Sequence, residues 1–272
     1  MAGVALIPGA PAAPSMGVRG LVAAANPVAK LAVATVISFA LVLTVDVVTA
    51  GVALALELLA LPWCGVPPRS LLRRGWPVLA AAVPASVATA AFGVDSGPVL
   101  VALGPITVTA GSASAALAIG LRILAIGLPG VLLLATTDPT DLADALAQVL
   151  RLPHRFVLSA LASLRLVGVL AEEWHALTLA RRARGLGGTG WTGRLRTVPG
   201  QVFALLVLAI RRAAVLATAM EARGFGVDAP RTWARPSRFR GRDLGVVLAG
   251  VALAVVATAA GIAAGTWQLV LL

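Results

Sequence analysis

Two arginines, Arg184 and Arg223, occupy the same local sequence, although they lie 39 positions apart in the chain. Each follows an alanine and precedes a glycine, one apolar residue and a second glycine. A guanidinium group is a planar fork of donors that binds carboxylates and carbonyl oxygens together. The chemistry that this pattern indicates is docking into an acidic groove on a partner, not catalysis.

A purely structural role is the alternative explanation for each arginine. Glycine just beyond a helix supplies a left-handed cap, and arginine in the last turn complements the negative end of the helix dipole. Capping accounts well for one copy of the pattern. Two copies on two long helices of one basic region favour docking, because the neighbouring alanine leaves room for a partner to approach.

Two charged residues, Glu57 and Arg122, lie within apolar segments that we predict to span a membrane. Ionisable residues inside a membrane are costly and face the interior of the helix bundle. Because we expect the two residues at similar depths, we interpret them as a candidate intramembrane ion pair. The alternative is that each binds backbone carbonyls, water or a partner subunit.

The other polar residues indicate neither a catalytic nor a metal site. Asp138, Asp141 and Asp144 recur at steps of three, which fits capping and solvation of a helix start, since no further ligand accompanies them. His154 and His175 lack the spacing of a zinc site. The motifs of zinc proteases, α/β-hydrolases and P-loop proteins are absent from the sequence.

The composition indicates an all-α, polytopic membrane protein. Of the 272 residues, 59% are hydrophobic and 12% are charged, which excludes both a soluble globular domain and a disordered chain. We predict about five transmembrane helices from the apolar runs, at 30–49, 51–66, 76–93, 114–135 and 243–270. The segment 97–113, which glycine and proline interrupt, is predicted to be an outer loop or a re-entrant piece.

Basic residues fall on one side of these spans. Sixteen of the 22 Lys and Arg residues lie in 138–242, whereas the opposite connections hold Asp46 and Asp95 and no base. The basic side is therefore expected to be the cytoplasm, with the N-terminus inside and the C-terminus outside the cell membrane. The net charge of +11 has the same explanation, so no nucleic-acid partner is expected.

The region 138–242 is predicted to carry two long amphipathic helices that begin at Pro153 and Pro199, after a short helix at 139–150. Each long helix measures roughly 35–45 Å. Pairs of like charges in their bodies argue against a membrane span. These pairs are Glu172-Glu173 and Arg211-Arg212.

The chain is thus predicted to divide into four parts. The first is an N-terminal tail that is partly disordered, lacks the basic start of a secretory signal and begins at Met1 or Met16. The four parts are the tail at 1–29, transmembrane helices 1–4 at 30–137, the cytoplasmic coupling-helix region at 138–242 and transmembrane helix 5 at 243–272.

With these features the chain resembles the transmembrane T component of energy-coupling factor (ECF) transporters, the cobalt and vitamin uptake relatives of ABC importers. The resemblance covers nearly the whole chain, and the twin Ala-Arg-Gly ends are its specific part. Supporting patterns are the lead-in Asn26-Pro27-Val28-Ala29-Lys30-Leu31, the stretch 136–142 and Leu152-Pro153.

The resemblance implies a non-catalytic coupling subunit that needs no cofactor. It implies that Arg184 docks on one of two cytoplasmic ATPase subunits and Arg223 on the other. The long helices would hold a separate membrane subunit that binds the substrate, a vitamin or a transition-metal ion, and would pass ATP-driven motion to it within the lipid bilayer. The docking motifs comprise Ala183, Arg184, Gly185 and Ala222, Arg223, Gly224.

Two other classes of function are the alternatives, a membrane-embedded lipid-modifying enzyme and a stand-alone carrier. The segment Glu221-Ala222-Arg223-Gly224 followed by Asp228 partly matches an alcohol-phosphatidyltransferase signature, but the paired aspartates that this chemistry needs are missing. A carrier would need an ion path, and few ionisable residues lie in the spans. Neither class explains the duplicated helix ends.

Overall fold

The computed structural model describes residues 20, 22–44, 46–93, 96–103, 106–186, 190–227, 233 and 235–267. Most of the predicted tail lies outside these residues, as do Asp95 and Asp228. The described chain forms eight α-helices and one β-hairpin, so the predicted all-α membrane fold is confirmed. The elements are α1 (Pro27–Val42), α2 (Val47–Cys64), α3 (Pro68–Phe92), β1 (Val99–Leu103), β2 (Ile106–Thr109), α4 (Ala110–Thr136), α5 (Pro139–Gln148), α6 (His154–Ala183), α7 (Gly190–Ala222) and α8 (Gly241–Ala263).

The chain folds into two compact units. The first comprises Met1–Ala145 and Ser237–Leu272, and the second comprises Leu146–Pro236. Helices α1 to α4 and α8 therefore belong to the first unit, and α6 and α7 belong to the second.

Five helices are long and apolar enough to cross a membrane, judged by length and composition. Four of them, α2, α3, α4 and α8, overlap the predicted spans 51–66, 76–93, 114–135 and 243–270. The fifth is Leu195–Ala222 of α7, for which the charges in its body predict a place outside the membrane. The cytoplasmic placement of α7 therefore stays a prediction.

The predicted first span, 30–49, was wrong in its extent. Helix α1 ends at Val42 and has 16 residues, fewer than the roughly 20 of a typical span. The chain turns early because Asp46 caps α2, and its Oδ2 accepts hydrogen bonds from the backbone N–H and the hydroxyl of Thr49, both at 2.8 Å. The length of an apolar run gives no information about such a cap.

Residues 99–103 and 106–109 form an antiparallel pair of strands, where an outer loop or re-entrant piece was predicted for 97–113. Val99 lies opposite Thr109, and Val101 lies opposite Val108. Valine and threonine favour strands because their branched side chains fit a pleated surface. Thr109 then caps α4 reciprocally with Ser112, through N–H to hydroxyl bonds of 3.0 and 3.2 Å.

Small residues let the helices of the first unit approach closely. A Cβ atom added to Gly250 of α8 would lie 2.7 Å from the Val33 side chain of α1, and one added to Gly127 of α4 would overlap Val78 of α3. Such contacts favour helix association within a bilayer, where apolar burial alone gives little. The buried core around them consists of Ile37, Leu41, Ala50, Ala53, Ala125 and Ala257.

Helices α6 and α7 form the second unit as a helical hairpin of 30 and 33 residues. Helix α7 begins at Gly190, although Pro199 was predicted to start it. Proline lacks an N–H group and usually weakens a helix interior. Here the preceding turn has support from α6, because Arg181 Nη1 donates to the Thr197 carbonyl at 3.1 Å.

Candidate functional site

Helix α6 ends at Arg184 in a Schellman motif. The backbone N–H of Gly185 donates to the Arg182 carbonyl at 3.0 Å, and that of Leu186 donates to the Arg181 carbonyl at 2.9 Å. This pair of bonds requires a left-handed residue just past the helix, which Gly185 provides with a φ of 72°. Arg184 is therefore the last residue before a fixed bend.

Helix α7 ends in the same way at Arg223. The backbone N–H of Gly224 donates to the Glu221 carbonyl, and that of Phe225 donates to the Met220 carbonyl, both at 2.9 Å. Gly224 is left-handed, with a φ of 75°. The likeness of the two ends thus extends from their sequence to their hydrogen-bond pattern.

All six residues of the two motifs are exposed. Neither the Arg184 nor the Arg223 guanidinium forms a hydrogen bond or an ion pair with any residue that the structure describes. Backbone N–H groups already occupy carbonyls at the ends of both helices, so the arginine side chains are not serving as caps. The donors of both guanidinium groups are therefore open to solvent or to a partner.

The two arginine tips lie at opposite ends of the helical hairpin, because α6 and α7 run antiparallel. Near one end Gln201 Nε2 donates to Thr178 Oγ1 at 3.3 Å, and near the other Arg155 Nη2 donates to the Gly226 carbonyl at 2.6 Å. Arg223 thus lies beside the start of α6, whereas Arg184 lies at its end. The 30 residues of α6 place the tips about 45 Å apart, at 1.5 Å per residue.

An ion pair between Glu173 and Arg212 joins the two helices within the hairpin. In the sequence these residues were used only to argue against a membrane span, and their pairing was missed. The available signal was the opposite sign of the charged pairs in two successive helices, which an antiparallel arrangement brings together.

A groove of about 940 Å³ runs between α6 and α7. Apolar side chains form most of its walls, and Arg165, Arg211, Arg212 and Arg223 also line it. Elsewhere on α7, Phe203 and Ile210 are 69% and 63% exposed. Apolar exposure on this scale marks a surface that contacts a partner protein or the membrane.

The structure does not pair Glu57 with Arg122. Arg122 Nη2 donates to the Val42 carbonyl at the end of α1, at 2.8 Å. Glu57 is 5% exposed, and neither carboxylate oxygen has a hydrogen-bond partner among the described residues. Arg122 therefore binds a backbone carbonyl, which was one of the alternatives to the ion pair. The Val42 carbonyl is available because the last carbonyls of a helix lack intrahelical donors.

The remaining polar candidates lie at helix ends and on surfaces. Asp138 precedes α5 and accepts a hydrogen bond from the Thr140 backbone N–H at 2.7 Å. His154 is the first residue of α6, and His175 is exposed on the same helix. Within the described ranges, no group of three His, Cys, Asp or Glu residues is placed to hold a metal ion.

Comparison with known proteins points to one family. Residues 21–232 match the family CbiQ, described as cobalt transport protein. The chain is 39% identical over 127 residues to the energy-coupling factor transporter transmembrane protein EcfT of Exiguobacterium sibiricum, which covers 43% of this chain and 48% of that protein. It is 34% identical over 145 residues to EcfT of Bacillus subtilis, which covers 50% of this chain and 55% of that protein.

A third relative, EcfT of Bacillus selenitireducens, is 32% identical over 168 residues, or 58% of this chain and 62% of that protein. The chain thus spans about half the length of the curated relatives it matches most significantly. The family match is longer and covers α1 to α7 with both arginine tips, whereas α8 lies beyond it. The chain is a multi-pass membrane protein that belongs to the CbiQ family, which includes the transmembrane subunits of ECF transporters.

Proposed function

We propose that the protein is the energy-coupling transmembrane subunit of an ECF-type importer and has no catalytic activity of its own. Arg184 docks on one cytoplasmic ATPase subunit, and Arg223 docks on a second. The observation that carries the proposal is the presence of two exposed guanidinium groups on identical helix ends, neither with a partner in the described chain.

The separation of the tips supports docking on two subunits. A single groove on one protein cannot hold both tips, since about 45 Å separates them. Each tip offers a fork of charged donors, which matches a groove lined with carboxylates and carbonyls. The alanines beside the arginines, Ala183 and Ala222, present little side chain, so the groove walls can close around the guanidinium.

The apolar surface of the helical hairpin supports a third contact, with a separate membrane subunit that binds the substrate. The groove between α6 and α7 and the exposed face around Phe203 offer the large apolar area that such a subunit requires. The proposed substrate is a vitamin or a transition-metal ion. The orientation follows the predicted one, with the N-terminus and the hairpin in the cytoplasm and the C-terminus outside.

The proposed mechanism uses the stiffness of the two helices. ATP binding closes the ATPase pair, and the two grooves displace the arginine tips. Because an α-helix held by continuous backbone hydrogen bonds resists compression, α6 and α7 carry this displacement to the apolar surface that holds the substrate-binding subunit.

The test compares Arg184→Ala, Arg223→Ala and the double variant with two matched controls. The controls are Arg182→Ala, in the last turn of α6, and Arg196→Ala, near the start of α7; both side chains are exposed. The complex is purified in mild detergent, and the amount of ATPase retained per chain is measured together with ATP-dependent uptake.

Removal of one desolvated arginine contact is expected to cost about 2–5 kcal/mol of docking. Each tip variant should therefore lose ATPase or uptake, the double variant should lose more than either, and the controls should match the wild type. Full retention and full uptake in all three tip variants would overturn the proposal. Turnover of a lipid substrate by the chain alone would favour an enzyme instead.

A further inference from the structure

Three helix ends meet inside the first unit, and buried polar groups join them. They are the start of α1, the end of α4 and the start of α8. Asn26 caps α1, where its Oδ1 accepts from the Val28 backbone N–H at 3.0 Å. Its backbone N–H and its Nδ2 face the start of α8, and the side chain of Lys30, one turn further on, faces the end of α4.

Asp243 connects the start of α8 to the start of α1. Its side chain is 1% exposed, and its Oδ1 accepts from the Asn26 backbone N–H at 2.8 Å. Its Oδ2 accepts from the Arg240 backbone N–H at 2.7 Å, which caps α8. A carboxylate at this position also complements the positive end of the α8 dipole.

Lys30 connects the start of α1 to the end of α4. The residue is 7% exposed, and its Nζ donates to the carbonyl and the hydroxyl of Thr136, both at 3.1 Å, and to the Ala23 carbonyl at 2.9 Å. These acceptors are uncharged oxygens. The ammonium group complements the negative end of the α4 dipole, since Thr136 is the last residue of that helix.

The two connected places lie within the first unit, before the chain leaves it at Ala145 and after the chain returns to it at Ser237. Thr136 precedes α5 and the helical hairpin, and Asp243 follows them. Asn26 Nδ2 extends the contact on the return side, with bonds of 3.0 Å to Ser237 Oγ and 3.4 Å to the Arg238 carbonyl. The first turn of α1 therefore contacts both connections of the helical hairpin, the one that precedes it at Thr136 and the one that follows it at Asp243.

We propose that Asn26, Lys30, Thr136 and Asp243 form a root clasp that keeps the two connections of the helical hairpin at a fixed separation, which makes Lys30 and Asp243 positioning residues for energy coupling. This inference rests on the proposed function. A displaced hairpin passes its motion into the membrane helices only if its two connections do not slide past each other. Residues 235–240, on the return side, have no regular secondary structure and cannot resist sliding themselves.

The test measures the separation of the connections directly. Spin labels are placed at Leu134→Cys and Arg238→Cys, two exposed positions, in a Cys64→Ser background that removes the only cysteine. The full chain is purified with co-expressed ATPase subunits, and the label-to-label distance distribution is recorded with and without Mg-ATP. The variants are Lys30→Met, Lys30→Arg and Asp243→Asn, and Arg73→Met on exposed α3 surface is the control.

The wild type and Arg73→Met should give one narrow distribution. Lys30→Met and Asp243→Asn should broaden it at least twofold while ATPase retention stays within twofold of wild type. Lys30→Arg, which keeps the charge and the donors, should give a distance distribution nearly as narrow as that of the wild type. ATP hydrolysis should persist in Lys30→Met, whereas transport driven by it should fall at least tenfold.

Distributions as narrow as wild type in both Lys30→Met and Asp243→Asn would overturn the root clasp. If Lys30→Met does not fold, the milder Asp243→Asn and a Thr136→Val variant provide the same measurement. Loss of ATPase from the wild-type chain would refute the proposed function and leave the distance test of the clasp intact. If the distance distribution broadens without any loss of transport, the root clasp is structural only, and the positioning role would be rejected.

Discussion

The Gly185→Ala substitution tests the contribution of the bend separately from that of the arginine at the tip. Gly185 has a φ of 72°, and a Cβ atom added there would meet nothing within 4 Å. The change therefore introduces backbone strain without a steric clash, and Arg184 itself is retained. Gly224→Ala at the other tip has nearly the same geometry, with only an ordinary contact of 3.9 Å to Val227.

The magnitude follows from the cost of a left-handed conformation. An L-residue with a Cβ pays roughly 1–2 kcal/mol in this region, which corresponds to a roughly 5–30-fold weaker closed helix end. The bonds at risk are the two that Gly185 and Leu186 donate, at 3.0 and 2.9 Å. Gly185→Asn should recover much of the loss, because asparagine tolerates the left-handed region better than alanine.

Gly168→Ala is the matched control, since Gly168 lies in the exposed body of α6 and also has nothing within 4 Å of an added Cβ. There the same substitution should stabilise the helix by about 1 kcal/mol, because alanine is the better helix former. Hydrogen–deuterium exchange of the Gly185 and Leu186 amides and ATPase retention are the two readouts. If Gly185→Ala exchanges as slowly as Gly168→Ala and retains ATPase fully, the argument from the bend is refuted.

Three further changes test the packing and the charges. Glu57→Met should raise the melting temperature in detergent by about 2 °C or more, because it replaces a buried carboxyl group that has no described hydrogen-bond partner with an apolar side chain of similar length. The exposed Glu172→Met should change the melting temperature little, and a lower melting temperature for Glu57→Met would contradict this reasoning. Gly250→Ala should destabilise the contact of α8 with Val33, while Gly245→Ala, with open space around it, should not; equal melting temperatures would count against close packing. Reversing Glu173 or Arg212 alone should cost up to about 1 kcal/mol, since the arginine side chain is 44% exposed, and the double reversal should recover stability unless the pair is irrelevant to the hairpin.

Sequence patterns predicted the features that depend on local chemistry. Apolar runs located α2, α3, α4 and α8, because membrane spans require long segments free of charge. The glycines after Arg184 and Arg223 predicted helix ends, and both ends form with the left-handed geometry that glycine allows. Pro153 likewise precedes the start of α6, as its fixed φ predicts.

Some of the features that sequence patterns missed depend on the geometry of single caps and turns, and others depend on residues far apart in the chain. The start of α2 is set by the side chain of Asp46, and Arg122 binds a carbonyl on α1, 80 residues away. Similar expected depths predicted a pair between Glu57 and Arg122, but depth does not fix the direction in which a side chain points around its helix. The β-hairpin at 99–109 was missed because glycine and proline at its boundaries also fit an irregular loop.

The bond between Asn26 and Asp243 links residues that are 217 positions apart, and this has a consequence for biogenesis. During synthesis α1 emerges first, yet its capping partner on α8 emerges almost last. Until Asp243 has been synthesised, the Asn26 N–H therefore lacks its carboxylate acceptor. A polypeptide that is truncated before residue 243 leaves this buried donor unsatisfied at the start of α1.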